Sequence, residues 1–71
     1  METLADALPR QQARVREVLA LYEELQRENP RAICGPAIAM IKASLAEAER
    51  AAISGDVIAM LRAHEDLKEI Q

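Results

Sequence analysis

The sequence predicts an all-α protein, a small three-helix bundle in which helices two and three form a tight αα-hairpin. Apolar residues recur at helical spacings of three and four, alanine is abundant through the middle of the chain, and the sequence Ser54-Gly55-Asp56 separates two helical segments. A chain of 71 residues makes one domain, residues 1–71, and we expect its helices at about 9–28, 36–54 and 57–70.

The first predicted helix begins at Pro9, because proline is tolerated in the first turn of a helix, where its missing N–H has no partner. Residues 1–8 are expected to form a short lead-in. No Gly or Pro follows until Asn29-Pro30, which ends the helix because the residue before a proline is pushed out of the α region. The apolar stripe predicted to face the core comprises Val15, Val18, Leu19, Tyr22 and Leu25.

The second predicted helix begins at Pro36, after a loop that covers residues 29–35. Its many alanines favour helix formation and leave a thin surface that a neighbouring helix can approach closely. The stripe predicted to be buried comprises Ile38, Ile41, Leu45, Ala48 and Ala52, with Met40 and Ile53 at its flanks.

The turn before the third helix is predicted from three adjacent residues, Ser54, Gly55 and Asp56. Gly55 occupies the position where a helix commonly ends in a left-handed residue, a conformation that glycine adopts without strain. Asp56 follows as an N-cap whose carboxylate accepts hydrogen bonds from the first N–H groups of the next helix. The stripe predicted for the third helix comprises Val57, Met60, Leu61, His64 and Leu67.

The charge of the chain argues against several kinds of partner. The net charge is −3 with both signs interspersed, so no field attracts a phosphate backbone. The longest uncharged stretch, residues 32–41, is too short to span a bilayer. Glu2 and Asp6 stand where a signal peptide has basic residues, and a single cysteine cannot form an internal disulfide. We therefore expect a cytoplasmic protein without a membrane partner.

Neither His64 nor Cys34 belongs to a recognisable chemical site. A zinc site needs more ligands than the one histidine and one cysteine of this chain supply. Glu65 and Asp66 follow His64 directly, and adjacent residues on a helix point in different directions. Cys34 has no base near it in the sequence. We expect a packed histidine, a small apolar plug at Cys34, and no metal, cofactor or catalytic residue.

The spacing Ala51-x3-Gly55-x5-Leu61 is common in helix-turn-helix DNA-binding motifs, since a small residue is needed where two helices cross. The charges of the segment oppose that function. Residues 56–71 carry two basic side chains against four acidic ones, whereas a recognition helix offers Arg, Lys, Asn or Gln to bases and phosphates. A helix-turn-helix-like regulator using the hairpin at 44–68 is the alternative function, and nucleic acid is not the expected partner.

Residues 18–70 resemble a group of small, uncharacterised helical proteins of bacteria and their prophages. The resemblance is carried by Ala-Leu-Tyr-Glu-Glu-Leu, a loop with Pro and Gly, Ala-Met-Ile, Ala-Glu-Arg-Ala, Ser-Gly-Asp-Val-Ile-Ala-Met-Leu-Arg and Leu-Lys. Members of that group have a Gly-Ala-Phe-like loop before the second helix, where this chain has residues 32–36. The resemblance implies a prophage-type accessory protein and supplies no site residues.

The expected function is non-enzymatic protein interaction. The chain has no Phe or Trp and a single Tyr, so little bulk is available for the core of a monomer this small. We therefore expect a homo-oligomer or a complex with an unidentified protein partner. The candidate interaction face comprises Val15, Val18, Tyr22, Leu25, Ile38, Ile41 and Leu61. An enzyme would instead need a pocket lined by His64, Cys34 or acidic residues.

Overall fold

Three α-helices make up the fold in the computed structural model, which describes residues 2–71. They are α1 (Leu4–Glu28), α2 (Gly35–Ser54) and α3 (Val57–Lys68), and this range contains no β-strand. Every helix packs against the other two. The predicted fold class, an all-α three-helix bundle, is confirmed.

Helix α1 begins at Leu4, well before the expected start at Pro9. Thr3 has an extended backbone at the N-cap position, and its hydroxyl donates to the Asp6 carboxylate at 2.9 Å. Asp6 also lies in the first turn, where a negative charge interacts favourably with the helix dipole. Pro9 therefore lies inside the helix and removes one intrahelical hydrogen bond. The burial of the neighbouring Leu8 offsets that loss, and the sequence pattern alone does not reveal it.

The loop between α1 and α2 covers residues 29–34, and α2 begins at Gly35, one residue before the expected start. The backbone N–H of Cys34 donates to the side-chain oxygen of Gln26 at 3.0 Å, which ties the loop to the last turns of α1. The Cys34 side chain is buried there, in the role of an apolar plug that the sequence predicts.

The turn between α2 and α3 has the predicted geometry. Gly55 has φ 72°, the one positive φ recorded for residues 2–71. The Ser54 hydroxyl donates to the Ala51 carbonyl at 2.8 Å and accepts from the backbone N–H of Asp56 at 3.1 Å. The Asp56 carboxylate accepts from two N–H groups in the first turn of α3, at 3.0 and 3.3 Å. Ser54, Gly55 and Asp56 together reverse the chain, so that α3 packs against α2.

Helix α3 ends at Lys68, two residues before the expected end. The N–H of Ile70 bonds to the carbonyl of Leu67 at 3.1 Å, and this tight turn carries the Ile70 side chain back into the core. The Leu67 carbonyl also accepts from the guanidinium of Arg14 on α1, at 2.8 Å. The end of α3 is therefore fixed beside the middle of α1.

The core contains few large side chains. Those that are fully buried are Leu8, Val15, Ile41 and Leu67. Where α2 meets α3 the buried side chains are small: Ala48 and Ala51 on α2 and Ala63 on α3. These alanines allow the two helices to approach closely, and Ala51 takes the inward position predicted for Ala52.

The buried stripe of α3 is rotated relative to the predicted one. Val57 and Leu61 were expected to face the core, but both are more than half exposed. Ala63, Leu67 and Ile70 are buried instead. Because close contact with α2 requires a small residue at the crossing, Ala63 faces inward. Leu61 precedes it by two residues and points away, about 200° around the helix.

Candidate interaction surface

Two residues of the predicted interaction face belong to the core. Val15 is 0% exposed and Ile41 is 1% exposed, and both are members of the central apolar cluster. A partner cannot reach side chains at this depth without unfolding the bundle, so these two residues are removed from the candidate face. An apolar stripe predicts which side of a helix is buried. It does not predict whether the helix's own bundle or a partner protein buries that side.

The other five predicted residues reach the surface to different degrees. Val18, Tyr22 and Ile38 are half-buried. Leu25 and Leu61 are exposed, at 47% and 51%. The predicted face therefore contains two well-exposed members, and they lie on different helices, α1 and α3.

Three apolar residues form an outward-facing patch on the first half of α3. Val57, Ile58 and Leu61 are 60%, 62% and 51% exposed. Ile58 and Leu61 are one helical turn apart and lie on the side of α3 opposite Ala63. We call these three residues the outer face of α3. The remainder of that side is charged, with Glu65, Lys68 and Glu69.

A second apolar surface lies beyond the end of α3, where α1 and α2 continue without a third helix beside them. It exists because α3 has 12 residues, whereas α1 has 25 and α2 has 20. Two adjoining cavities of about 300 and 280 Å³ meet at Tyr22. We call this surface the recess, and its main lining residues are Val18, Leu21, Tyr22, Leu25 and Met40.

The recess exposes large apolar side chains. Leu21 is 65% exposed and Met40 is 58% exposed. Leu25 is less exposed, at 47%, and Tyr22 is half-buried at the floor. The Tyr22 hydroxyl donates to the backbone carbonyl of Gln71 at 3.4 Å, so its polar end is engaged inside the chain. The cavity on the α1 side is therefore mostly apolar, whereas the cavity on the α2 side is also lined by Ser44, Asp66 and Glu69.

Charged residues border both surfaces, with acidic side chains beside the recess and both signs beside the outer face of α3. The free edge of α1 beside the recess carries Glu17, Glu24 and Glu28, all exposed. Arg62 and Lys68 lie on α3 next to its outer face, and both are exposed. Neither takes part in an ion pair within residues 2–71, where the recorded pairs involve other residues.

A polar cleft of about 440 Å³ runs between α2 and α3 on the other side of the hairpin. Arg50 and Arg62 line it together with Glu47 and Asp66, and Arg50 forms an ion pair with Glu47. The cleft therefore has both signs of charge. It does not offer a continuous positive surface.

His64 and Cys34 lie on different elements, His64 on α3 and Cys34 at the N-cap position of α2. His64 is half-buried, and its Nδ1 atom lies 3.8 Å from the carboxylate of the adjacent Glu65. Within residues 2–71, no three His, Cys, Asp or Glu side chains lie close enough together to hold a metal ion. In the same range, every helix is either too short or too polar to cross a membrane.

Sequence reasoning missed Leu21 and Ile58 and assigned Val57 to the core. A signal was present in the pattern. Ile58 directly follows Val57 and precedes Leu61 by three residues, so α3 has apolar residues around more of its circumference than one buried stripe requires. Such an excess leaves apolar side chains exposed on the same helix once one stripe is buried.

Comparison with known proteins identifies no relative of this chain. No family model matches it, and neither a curated protein nor a solved structure does. The similarity of residues 18–70 to small helical proteins of bacteria and prophages stays a prediction.

Proposed function

We propose that this chain is a non-enzymatic, cytoplasmic protein-interaction module that self-associates through its exposed apolar surfaces. The observation that carries the proposal is the pairing of two such surfaces, the outer face of α3 and the recess, on a chain of 71 residues. Scattered apolar side chains are normal on any protein, whereas contiguous patches mark interaction sites. The resemblance to small helical proteins of bacteria and prophages implies an accessory protein and no particular activity.

The thin core explains why a second copy is the partner we favour. Four large side chains are fully buried between residues 2 and 71, and each contributes roughly 1.5–3 kcal/mol. Domains of this size commonly need a disulfide, a metal or oligomerisation as well. The single cysteine excludes an internal disulfide. Association would bury the exposed leucines, isoleucine and methionine, and so stabilise the folded state by mass action.

The charge of the chain permits self-association. A net charge of −3, with both signs interspersed, produces little repulsion between copies. At physiological ionic strength the Debye length of about 8 Å screens most of what remains.

The proposal is tested by measuring the mass in solution over a range from low-micromolar to near-millimolar chain. The mass is expected to rise from the monomer value of 7.9 kDa towards a multiple of it. Leu61→Glu places a carboxylate on the outer face of α3 and is expected to move the transition to higher concentration. A mass of 7.9 kDa at every concentration would refute self-association.

Ile53→Glu is the matched control. Ile53 is 81% exposed, and it follows Ala51 by two residues, which places it about 200° around α2 from the side that meets α3. It therefore lies outside both apolar surfaces. The same substitution chemistry at this position is expected to leave the mass at each concentration unchanged.

The alternative is a helix-turn-helix-like DNA-binding regulator that uses the hairpin at 44–68. In its favour, Arg50 and Arg62 share the polar cleft; against it, Glu47 and Asp66 line the same cleft. Electrophoretic mobility-shift titration with duplex DNA separates the two functions. Binding at low salt that weakens as salt is added supports the regulator, and no shift at low salt disposes of it.

A further inference from the structure

We propose that the recess of one chain receives helix α3 of a second copy, while the recess of that copy receives α3 of the first. This inference rests on the proposed self-association and specifies its surfaces. The dimer has two identical contacts related by a two-fold axis, and each joins the outer face of one α3 to the recess of the other chain.

The shape of the molecule suits this arrangement. At 1.5 Å per residue, α1 is about 37 Å long and α3 about 18 Å. The hydrogen bond from Arg14 to the Leu67 carbonyl sets α3 beside the first half of α1. One end of the molecule is therefore three helices thick and the other end two. A two-fold axis across the long direction places the thick end of each chain over the thin end of the other.

The elongation of the chain agrees with this step in thickness. The radius of gyration is 13.2 Å and the longest extent is 41 Å, whereas a compact chain of this length has a radius of gyration of about 11 Å. The excess is accounted for by the half of α1 and α2 that no third helix covers.

The apolar residues fall at matching levels in this dimer. The hydrogen bond between Arg14 and Leu67 places these two residues at the same height along the bundle axis. Leu25 lies about 16 Å beyond Arg14 along α1. Leu61 lies about 9 Å before Leu67 along α3. In the dimer, the C-terminal ends of the two α3 helices point towards each other along one line. Leu61 of one copy then lies at the level of Leu25 of the other copy, and the two Leu67 residues are about 7 Å apart along that line. Each α3 helix ends at Lys68, and the residues after it turn aside, Ile70 into the core and Gln71 towards Tyr22.

The charges beside the two surfaces are complementary at the basic residues of α3, while Glu65 and Glu69 lie on the same side of that helix. Glu17, Glu24 and Glu28 line the free edge of α1 next to the recess, and Arg62 and Lys68 flank the outer face of α3. An α3 helix lying in the recess brings basic side chains towards an acidic edge. Opposite charges at the rim of an interface favour the correct register and increase the association rate.

The long side of the molecule is the side with the outline of a dimer interface. The broad side of the molecule measures 41 × 21 Å between backbone positions. A specific interface of standard size uses about 800 Å² on each partner. The outline of this side is of that order, whereas the end of the molecule, at 21 × 17 Å, is much smaller.

The test uses two complementary variants, Leu25→Glu and Leu61→Lys, of the full chain. Both positions are about half exposed in the monomer, so neither substitution buries a charge there. Each variant alone puts a charge against a leucine in both contacts, and the dimer is expected to weaken about 100-fold. An equimolar mixture restores one Leu–Leu contact and creates one Glu–Lys pair, so heterodimers are expected to form more tightly than either variant associates alone.

Sedimentation of each variant and of the mixture, with helix content checked by circular dichroism, gives the outcome. If Leu25→Glu associates like the unmodified chain while Leu61→Lys does not, α3 pairs with α3 directly, and the recess proposal is wrong although self-association stands. If both variants weaken association but the mixture shows no recovery, the reciprocal contact is also wrong. If the unmodified chain is monomeric throughout, the proposed function itself fails.

Discussion

At the hairpin turn, two adjacent residues stabilise the same reversal of the chain by different means. Gly55 acts through its backbone: its φ is 72°, while a Cβ added there meets nothing within 4 Å. Asp56 acts through its side chain, which accepts from two N–H groups that otherwise lack a partner in the helix. The two contributions can therefore be separated by substitution.

Gly55→Ala is expected to destabilise the fold by about 1 kcal/mol, because a left-handed backbone is unfavourable for alanine. Gly35→Ala is the matched control: a Cβ at Gly35 also meets nothing within 4 Å, and its φ lies outside the left-handed region. That control is expected to be neutral or to stabilise by about 0.5 kcal/mol. Urea denaturation measures both, and equal effects at the two glycines would contradict the backbone explanation.

Asp56→Ala is expected to lower the free energy of unfolding by about 1 kcal/mol through loss of the N-cap. Asp56→Ser keeps a side-chain oxygen that can accept from the same N–H groups, and it is expected to retain most of the stability. Thermal unfolding followed by circular dichroism compares the three chains. If Asp56→Ser and Asp56→Ala lower the stability by the same amount, the hydrogen bonds at 3.0 and 3.3 Å do not stabilise α3.

At the scale of the helices, α3 depends most on its surroundings. An isolated helix of 12 residues is marginal in water, so packing and satisfied ends have to hold it. The Asp56 carboxylate accepts hydrogen bonds from N–H groups in the first turn of α3. The Arg14 guanidinium, on α1, donates a hydrogen bond to the Leu67 carbonyl in the last turn. The positive guanidinium also interacts favourably with the C-terminal end of the helix dipole.

Arg14→Met is expected to destabilise the fold by about 1 kcal/mol, since it removes a charge-assisted hydrogen bond while keeping much of the aliphatic side chain. Arg16→Met, at an exposed position on the same helix, is the control and is expected to have little effect. Hydrogen exchange reports where the change occurs. Faster exchange is expected for the amides of α3, and uniform acceleration across all three helices would argue against a local role.

At the scale of the whole molecule, stability depends on a few large side chains. Leu67 is fully buried where the three helices meet. Leu67→Ala is expected to cost about 2–5 kcal/mol, a large part of the 5–15 kcal/mol typical of small domains. Ile53→Ala, at a largely exposed position, is expected to change stability by less than about 0.5 kcal/mol. Denaturant titration at low chain concentration measures the free energy of unfolding of both variants. Similar losses of stability in the two variants would mean that Leu67 is not part of the core.

Self-association predicts a stability that depends on concentration. The midpoint of thermal unfolding is expected to rise with the concentration of the unmodified chain, because association stabilises only the folded state. Leu61→Glu is expected to lose most of this dependence and to retain the helix content of the monomer. A midpoint that is constant for the unmodified chain would show that the folded state gains nothing from a partner copy.

Local features of this protein follow from its sequence alone. The positions of α2, α3 and the turn between them are determined by residues that act on their neighbours: alanines, Gly55 and the capping Asp56. These interactions span four residues or fewer, so the pattern reveals them. The start of α1 was predicted too late because Pro9 suits a first turn locally, while the burial of Leu8 that extends the helix is a contact between helices.

Only the tertiary structure decided which apolar residues are buried. The sequence determined that each helix has an apolar side, and it placed Val15, Ile41, Leu25 and Leu61 on such sides. Packing buried the first two and exposed the last two. Leu61 points outward because alanines bring α2 close to the opposite side of α3. The recess arises in the same way, from the difference in length between α3 and α1. Burial depends on which helices meet and how closely, and no single helix contains that information.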